Sequence, residues 1–92
     1  MMMDDAVRRE VAITNSQGLH ARPAAAVVEA MKSYDSSMWI EIGEKKADAR
    51  SVMALLALGG TTGDLAHIVA EGEDAAEAVA SIVSILIAEE ES

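Results

Sequence analysis

A histidine and an arginine lie two residues apart in the segment QGLHARPAA, just before an alanine-rich stretch that is typical of a helix. Pro23 follows closely, and a helix tolerates proline in its first turn because the missing N–H has no intrahelical partner there. The helix is therefore expected to begin between His20 and Arg22. Up to about four main-chain N–H groups point outward at a helix start, with the positive end of the helix dipole behind them. His20 and Arg22 thus stand where a phosphate-like anion can bind.

The same position suits His20 for phosphoryl transfer. A positive field disfavours the imidazolium, so the ring is expected to be neutral at about pH 7 and nucleophilic. Arg22 adds a planar fork of donors that fits phosphate oxygens. Phosphoryl transfer needs mainly positioning and charge stabilisation, which this arrangement can supply. The alternative is that His20 merely caps or precedes a helix, and the spacing alone does not decide between the two.

The composition limits the classes of protein to consider. The 92 residues allow one domain, 51% of them are apolar, and Trp39 and Tyr34 are the two aromatic residues. The formal net charge is −9, which argues against nucleic acid as a partner because phosphate binding needs a basic stripe. We expect a single domain over residues 1–92, with residues 1–6 and 89–92 frayed.

Location follows from the same composition. The chain has no cysteine, which fits a reducing compartment. Its longest apolar run, Val52–Leu58, is far shorter than the roughly 20 residues of a membrane span, so no membrane insertion is expected. The acidic start, Met1–Asp5, lacks the basic and then apolar layout of a signal peptide. These features predict a cytoplasmic protein.

Hydrophobic periodicity predicts the element order βαββαβα. Asp74 and Glu77 have the spacing of a capping box at the start of the last helix. Four short strands with three helices indicate an α+β fold, in which an antiparallel sheet is covered by helices on one face and open to water on the other. The predicted strands cover Arg9–Thr14, Met38–Ile42, Lys45–Ala49 and Leu65–Ala70, and the helices run to about Lys32, over Ser51–Leu58 and from Asp74 onward.

The second helix carries an apolar surface. Two turns can hide one face, so Met53 and Leu56, three residues apart, are expected to stay exposed. An exposed patch with an adaptable methionine is typical of a docking surface. The alternative, that all of the apolar residues pack inward, stays open. Ser51 is expected to cap this helix. The five apolar residues are Val52, Met53, Leu55, Leu56 and Leu58.

Three segments occur in the order and spacing of one known family. GLHARPA, RSVMALLALG and AEGEDAAEAV resemble the HPr family, the histidine-containing phosphocarriers of the phosphoenolpyruvate-dependent sugar phosphotransferase system, over nearly the whole chain. The resemblance implies an open-faced β-sandwich in which His20 takes phosphate on Nδ1 from phosphorylated enzyme I and passes it to sugar-specific enzyme II A-type components. Arg22 matches the arginine that contacts the phosphate. It also implies a monomer that needs no cofactor or metal and is not an enzyme by itself.

The resemblance implies further roles around the second helix. Ser51 matches a regulatory serine, whose phosphorylation would involve a serine kinase or phosphatase and, in turn, transcriptional regulators. A phosphate at this helix start is electrostatically compatible with capping. The residues expected to contact partners are Leu19, Arg50, Val52, Met53 and Leu56.

Some residues depart from the family pattern. Gln17 stands where members often have Ser or Asn, and Glu29 and Ala54 stand where many present lysines, so that Arg50 and Lys32 remain of the basic rim. Two alternatives to sugar import stay open. One is a regulatory protein that acts through phospho-His20 or phospho-Ser51 on nitrogen, dihydroxyacetone or carbon-catabolite control. The other is an inert interaction domain without phosphate chemistry.

The remaining candidate residues are weaker. His67 falls within the fourth strand and is expected on the open face of the sheet. His67 and His20 lack a third metal ligand with recognisable spacing. The GGTTG run at Gly59–Gly63 lacks the lysine of a phosphate-binding P-loop, so we interpret it as a tight connection before the fourth strand.

Overall fold

The order of helices and strands is βαββαβα, as the sequence predicts. The computed structural model describes residues 6–14 and 18–87. The expectations for Gln17 and for most of the two tails lie outside these residues. The elements are β1 (Val7–Ala12), α1 (Ala21–Met31), β2 (Ser37–Ile42), β3 (Lys45–Asp48), α2 (Val52–Leu58), β4 (Leu65–Glu71) and α3 (Ala75–Ile87).

The four strands form one antiparallel sheet in the order β1-β4-β2-β3. Successive side chains of a strand point to opposite faces. Ile40 and Ile68 are fully buried on the face that the helices cover. Glu10 of β1 and Glu41 of β2 are each paired in register with His67 of β4. These three residues lie on the open face. The predicted α+β open-faced β-sandwich, with a four-stranded antiparallel sheet covered on one face by three helices, is confirmed.

Strand β1 is displaced from its predicted bounds. The sequence predicts a strand over Arg9–Thr14, whereas the ladder with β4 joins Val7–Ala12. Ile13 leaves this ladder, and its N–H donates to the carbonyl oxygen of Asp64 (2.9 Å). Its side chain is 2% exposed, so it belongs to the core although it lies beyond the strand. The apolar pattern of this segment therefore predicts the burial of Ile13 correctly, but it does not predict which residues pair with β4.

Helix α3 packs on strands β1 and β4, and α1 packs beside α3 and α2. In α1, Ala24, Val27 and Met31 are completely buried, at the predicted spacing of one helical face. Burying a side chain such as Val or Met is worth roughly 1.5 to 3 kcal/mol. These contacts hold α1 in place, so the start of α1 is carried on a rigid element. The buried side chains of α3 are Ala75, Ala78, Val79, Ile82, Val83 and Leu86.

Asp74 holds the loop between α1 and β2. Its carboxylate accepts hydrogen bonds from the main-chain N–H groups of Asp35 (2.8 Å) and Ser36 (3.0 Å) and from the Ser36 hydroxyl. These bonds lower the pKa of the Asp74 carboxyl, the Ser36 hydroxyl having the largest effect. The capping box predicted from Asp74 and Glu77 concerns the start of α3. It does not predict that the Asp74 carboxylate binds a loop that is distant in the sequence.

Candidate functional site

His20 is the residue that begins helix α1. Its backbone is extended (φ −116°, ψ −167°) and its carbonyl oxygen accepts the N–H of Ala24 (3.0 Å), which is the first hydrogen bond of the helix. Nδ1 of His20 accepts the N–H of Arg22 at 3.4 Å. The imidazole therefore occupies the N-cap position with its Nδ1 turned toward the main-chain amides, and the predicted helix start is confirmed.

The first turn of α1 presents two main-chain N–H groups rather than four. Pro23 has no N–H, and the N–H of Ala24 is engaged by the carbonyl oxygen of His20. The other two N–H groups of this turn belong to Ala21 and Arg22, and that of Arg22 donates to Nδ1 of His20. Because the dipole of an 11-residue helix lies behind them, these two groups still define a site of positive potential.

The two ring nitrogens of His20 have different surroundings. Nε2 has less than 1 Å² of accessible surface. The residue as a whole is half-buried. Nδ1 is the nitrogen near the amides, and its 3.4 Å contact with the Arg22 N–H is long for a hydrogen bond. This amide can turn to an oxygen of a group on Nδ1 at little cost.

Arg22 and Leu19 flank the histidine in opposite environments. The side chain of Arg22 is exposed, on the first turn of α1, where it can reach an anion held at the helix start. Leu19 is 6% exposed and packs in the core. A buried side chain has little surface to offer, and the expected contact of Leu19 with partners stays a prediction. Leu19 instead anchors the segment that carries His20.

Arg50 was expected in the partner surface, and the structure gives its guanidinium a different set of contacts. It donates to the main-chain carbonyl oxygens of Met31 (2.9 Å), Tyr34 (2.7 Å) and Ser36 (3.0 Å). These groups lie at and beyond the C-terminal end of α1, where a positive charge is favourable. Three of the five guanidinium N–H donors are thus used within the chain, while the residue is exposed, so its expected contact with partners stays a prediction.

Helix α2 exposes apolar side chains. Met53 is 76% exposed and Leu56 is 37% exposed, whereas Leu55 and Leu58 are buried, so the predicted division of the helix is confirmed. Val52 is half-buried at the start of α2. We call Val52, Met53 and Leu56 the α2 patch. Helix α2 is followed by its C-cap, Gly59, and the carbonyl oxygen of Gly60 accepts the N–H of Leu19. The end of α2 therefore lies next to the segment that carries His20.

Ser51 is the N-cap of α2. Its hydroxyl oxygen accepts the N–H of Ala54 at 3.1 Å, as the capping interpretation predicts. The residue is half-buried and precedes the exposed Met53 by two positions. With a rise of about 1.5 Å per residue, Ser51 lies on the order of 12 Å from Gly59 at the other end of the helix. Ser51 therefore lies beside the α2 patch, at the end of α2 that is far from His20.

Of the weaker candidates, His67 stays apart from this site. His67 lies on the open face of the sheet, as expected, and its Nε2 is 3.3 Å from Oε2 of Glu10. Residues 59–64 connect α2 to β4, in agreement with the interpretation of the GGTTG run as a connection. Within residues 6–14 and 18–87, no three His, Cys, Asp or Glu side chains lie where they could hold a metal ion. None of the helices in these ranges has the length and apolarity needed to cross a membrane.

Sequence reasoning missed two glycines that support the site. Gly18 is buried with a positive φ of 72°, and its backbone packs against Gly60. Gly18 and Gly60 each lie two residues from a segment with a predicted function, namely His20 and helix α2. The signal for Gly18 is its place two residues before His20, where a turn needing positive φ leads into a helix. The partner of that contact, more than 40 positions away, has no local signal.

The arrangement places one histidine nitrogen beside a helix start, where an anionic group is favoured. A family model described as the PTS HPr component phosphorylation site matches residues 7–88. Phosphocarrier protein HPr of Haemophilus influenzae is 38% identical over 78 residues, which cover 85% of this chain and 92% of that protein. The chain belongs to the HPr family of phosphocarrier proteins of the phosphotransferase system.

Other relatives show the breadth of the family. The HPr-like protein Crh of Bacillus subtilis is 35% identical over 78 residues, covering 85% of this chain and 92% of that protein. The crystal structure of phosphocarrier protein HPr from Bacillus anthracis superposes with a TM-score of 0.85 at 31% identity, covering 90% of this chain and 99% of that one. The fold is thus shared with a solved HPr, and the relatives carry different names.

Proposed function

We propose that this chain is a phosphoryl carrier that accepts phosphate on His20 from phosphorylated enzyme I, ultimately from phosphoenolpyruvate, and passes it to sugar-specific enzyme II A-type components. The observation that carries the proposal is the position of His20 as the N-cap of α1, with Nδ1 beside the Arg22 N–H and Nε2 inaccessible. The proposal also keeps the expected cytoplasmic location, because the 92 residues include no cysteine.

The transfer uses the lone pair of Nδ1. In the tautomer that accepts the Arg22 N–H, the ring proton resides on Nε2. A bond forms between Nδ1 and phosphorus as the bond from phosphorus to the donor group breaks, and the electron pair of that bond leaves with the donor. The N–H groups of Ala21 and Arg22 and the guanidinium of Arg22 stabilise the charge on the phosphoryl oxygens. Passing the group onward reverses these steps.

The α2 patch is the proposed contact for the partner proteins. Met53 and Leu56 are exposed apolar side chains on a helix whose far end adjoins the segment of His20. A partner that covers them can present a reacting group to Nδ1 while excluding water. Leu19 is buried and Arg50 is held by carbonyl oxygens of its own chain, and their expected contacts with partners stay predictions.

A regulatory role is the second candidate. Crh of Bacillus subtilis, which is described as a catabolite repression HPr, is nearly as similar to this chain as HPr of Haemophilus influenzae. Ser51 supports it, since its hydroxyl is half-buried at the start of the α2 patch. A phosphate there would add negative charge to the proposed contact surface. A serine kinase or phosphatase and transcriptional regulators would then be partners, in nitrogen, dihydroxyacetone or carbon-catabolite control.

Incubation with phosphoenolpyruvate and the enzyme I encoded by the same genome tests the carrier proposal. We expect a mass increase of one phosphoryl group that mild acid removes, absent in His20→Ala and slowed in Arg22→Ala. His67→Ala is the matched control and should accept phosphate normally, because His67 lies on the open face. Uptake that persists in His20→Ala would refute the assignment, and uptake by the native chain without transfer to any enzyme II component would favour the regulatory role.

A further inference from the structure

The loop that follows α2 contacts the chain at both ends of the segment between β1 and α1. The carbonyl oxygen of Gly60 accepts the N–H of Leu19 (2.9 Å), one residue before His20. At the other end, the carbonyl oxygen of Asp64 accepts the N–H of Ile13 (2.9 Å), and the N–H of Gly63 donates to the carbonyl oxygen of Ile13 (2.8 Å). We call residues 60–64 the bracing loop.

The bracing loop is closed on itself by one carboxylate. Oδ2 of Asp64 accepts both the N–H and the hydroxyl of Thr61, each at 3.0 Å. The N–H of Asp64 returns a bond to the carbonyl oxygen of Thr61 (3.0 Å). Hydrogen bonds to a carboxylate are stronger than those between neutral groups. The carboxylate therefore stiffens the loop that holds Ile13 and Leu19.

Gly18 packs against the bracing loop backbone to backbone. It has a positive φ of 72°, and a Cβ at this position would overlap the Gly60 carbonyl oxygen and lie 2.9 Å from the Cα of Thr61. A side chain is thus excluded both by conformation and by space. Because the opposing atoms belong to backbone, they cannot move aside as the end of a flexible side chain could. This contact is made two residues before His20.

We infer that Gly18 and the bracing loop are positioning elements for phosphoryl transfer at His20, an inference that rests on the proposed function. The new Nδ1–phosphorus bond forms only when the ring is aligned with the donor as the donor–phosphorus bond breaks, the ring proton staying on Nε2. Leu19 is fixed by Gly60 on one side, and His20 is fixed by α1 on the other. Displacing the loop therefore moves one of the two supports of the nucleophile while the helix stays in place.

Two glycine variants separate positioning from backbone strain. Gly18→Ala introduces positive φ for alanine together with the overlap at Gly60. Gly43→Ala is the matched control, because Gly43 has a similar φ of 61° but a Cβ there meets nothing within 4 Å. Gly43 lies in the hairpin between β2 and β3, outside the proposed site. Both variants are compared with the native chain at a temperature where unfolding curves show all three folded.

The experiment measures single-turnover transfer from phosphorylated enzyme I over a range of chain concentrations. We expect Gly18→Ala to lower the maximal rate by up to about 100-fold with little change in the half-saturating concentration, since misplacement of a reacting group by about 1 Å can cost that much. The proton NMR signals of the His20 ring should shift in Gly18→Ala and stay unchanged in Gly43→Ala. A Gly18→Ala maximal rate equal to that of Gly43→Ala, or a change confined to half-saturation, would overturn the inference.

Failure of the proposed function is distinguishable, because the native chain would then take no phosphate at all. If Gly18→Ala does not fold, Asp64→Ala decides the question, since it removes the two bonds to Thr61 without adding an overlap. We expect a lower maximal rate and a shift of the His20 ring signals, smaller than for Gly18→Ala. A folded Asp64→Ala chain with native rate and native ring signals would overturn the inference.

Discussion

The guanidinium of Arg50 donates to the main-chain carbonyl oxygen of Met31, the last residue of α1, at 2.9 Å. Two further bonds reach the carbonyl oxygens of Tyr34 and Ser36. One side chain of the loop between β3 and α2 thus closes the end of the helix whose beginning carries His20. The basic residue that the sequence suggested for partners is needed by the fold.

Replacing Arg50 tests this structural role. Arg50→Ala leaves three carbonyl oxygens without these donors, and we expect a loss of about 1 to 3 kcal/mol in the free energy of unfolding. Arg50→Lys should recover part of it, since an ammonium group cannot reproduce the planar fork. Urea unfolding measures both. Native stability of Arg50→Ala together with weaker binding to enzyme I would return Arg50 to the partner surface.

Asp74 links stability to pH. Because its pKa in the folded chain is lowered below the ordinary value of 3.8, its contribution to stability is present above that value and is lost as the pH falls through the folded pKa. Asp74→Asn should be less stable than the native chain at about pH 7, and the difference should shrink in acid below 3.8.

Unfolding curves at a series of pH values check the Asp74 prediction. Asp35→Asn is the control, since the main-chain N–H of Asp35 still donates to Asp74 after the change. It should leave the pH dependence of stability nearly native. A stability difference between Asp74→Asn and the native chain that stays constant from neutral pH into acid would contradict the linkage.

Much of the fold could be predicted because its signals are local. Pro23 marks the start of α1, and the spacing of apolar residues marks its buried face. The contacts that hold the site in place instead join residues that are far apart in the sequence. Asp74 and Asp35 are 39 positions apart, and Gly18 meets Gly60 across the fold. Periodicity and turn residues report a residue's own element and carry no information about such partners.

Ser51 provides a test that separates capping from regulation. Ser51→Ala removes the acceptor of the Ala54 N–H, and we expect a loss of about 1 kcal/mol in the free energy of unfolding. Ser51→Asp keeps a capping oxygen and should retain most of the stability while adding negative charge beside the α2 patch. Chemical denaturation compares the three chains. Equal stability of Ser51→Ala and the native chain would show that the cap contributes little.

Met53 tests the α2 patch as a contact surface. Since Met53 is 76% exposed, Met53→Asp should change the free energy of unfolding by no more than about 0.5 kcal/mol while weakening the affinity for enzyme I. Leu65→Asp is the matched control, because Leu65 is also exposed (51%) but belongs to strand β4. Titration calorimetry measures both affinities. Similar losses for the two variants would remove Met53 from the interface.

The central claim is that Nδ1 of His20 receives the phosphoryl group because Nε2 is inaccessible and Nδ1 faces the start of α1. Nitrogen NMR of the chain labelled with ¹⁵N-histidine, recorded before and after phosphorylation by enzyme I, measures this directly. We predict phosphorus coupling and a large shift at Nδ1 of His20, with the signals of His67 unchanged. Phosphate on Nε2 of His20, or on either nitrogen of His67, would contradict the account.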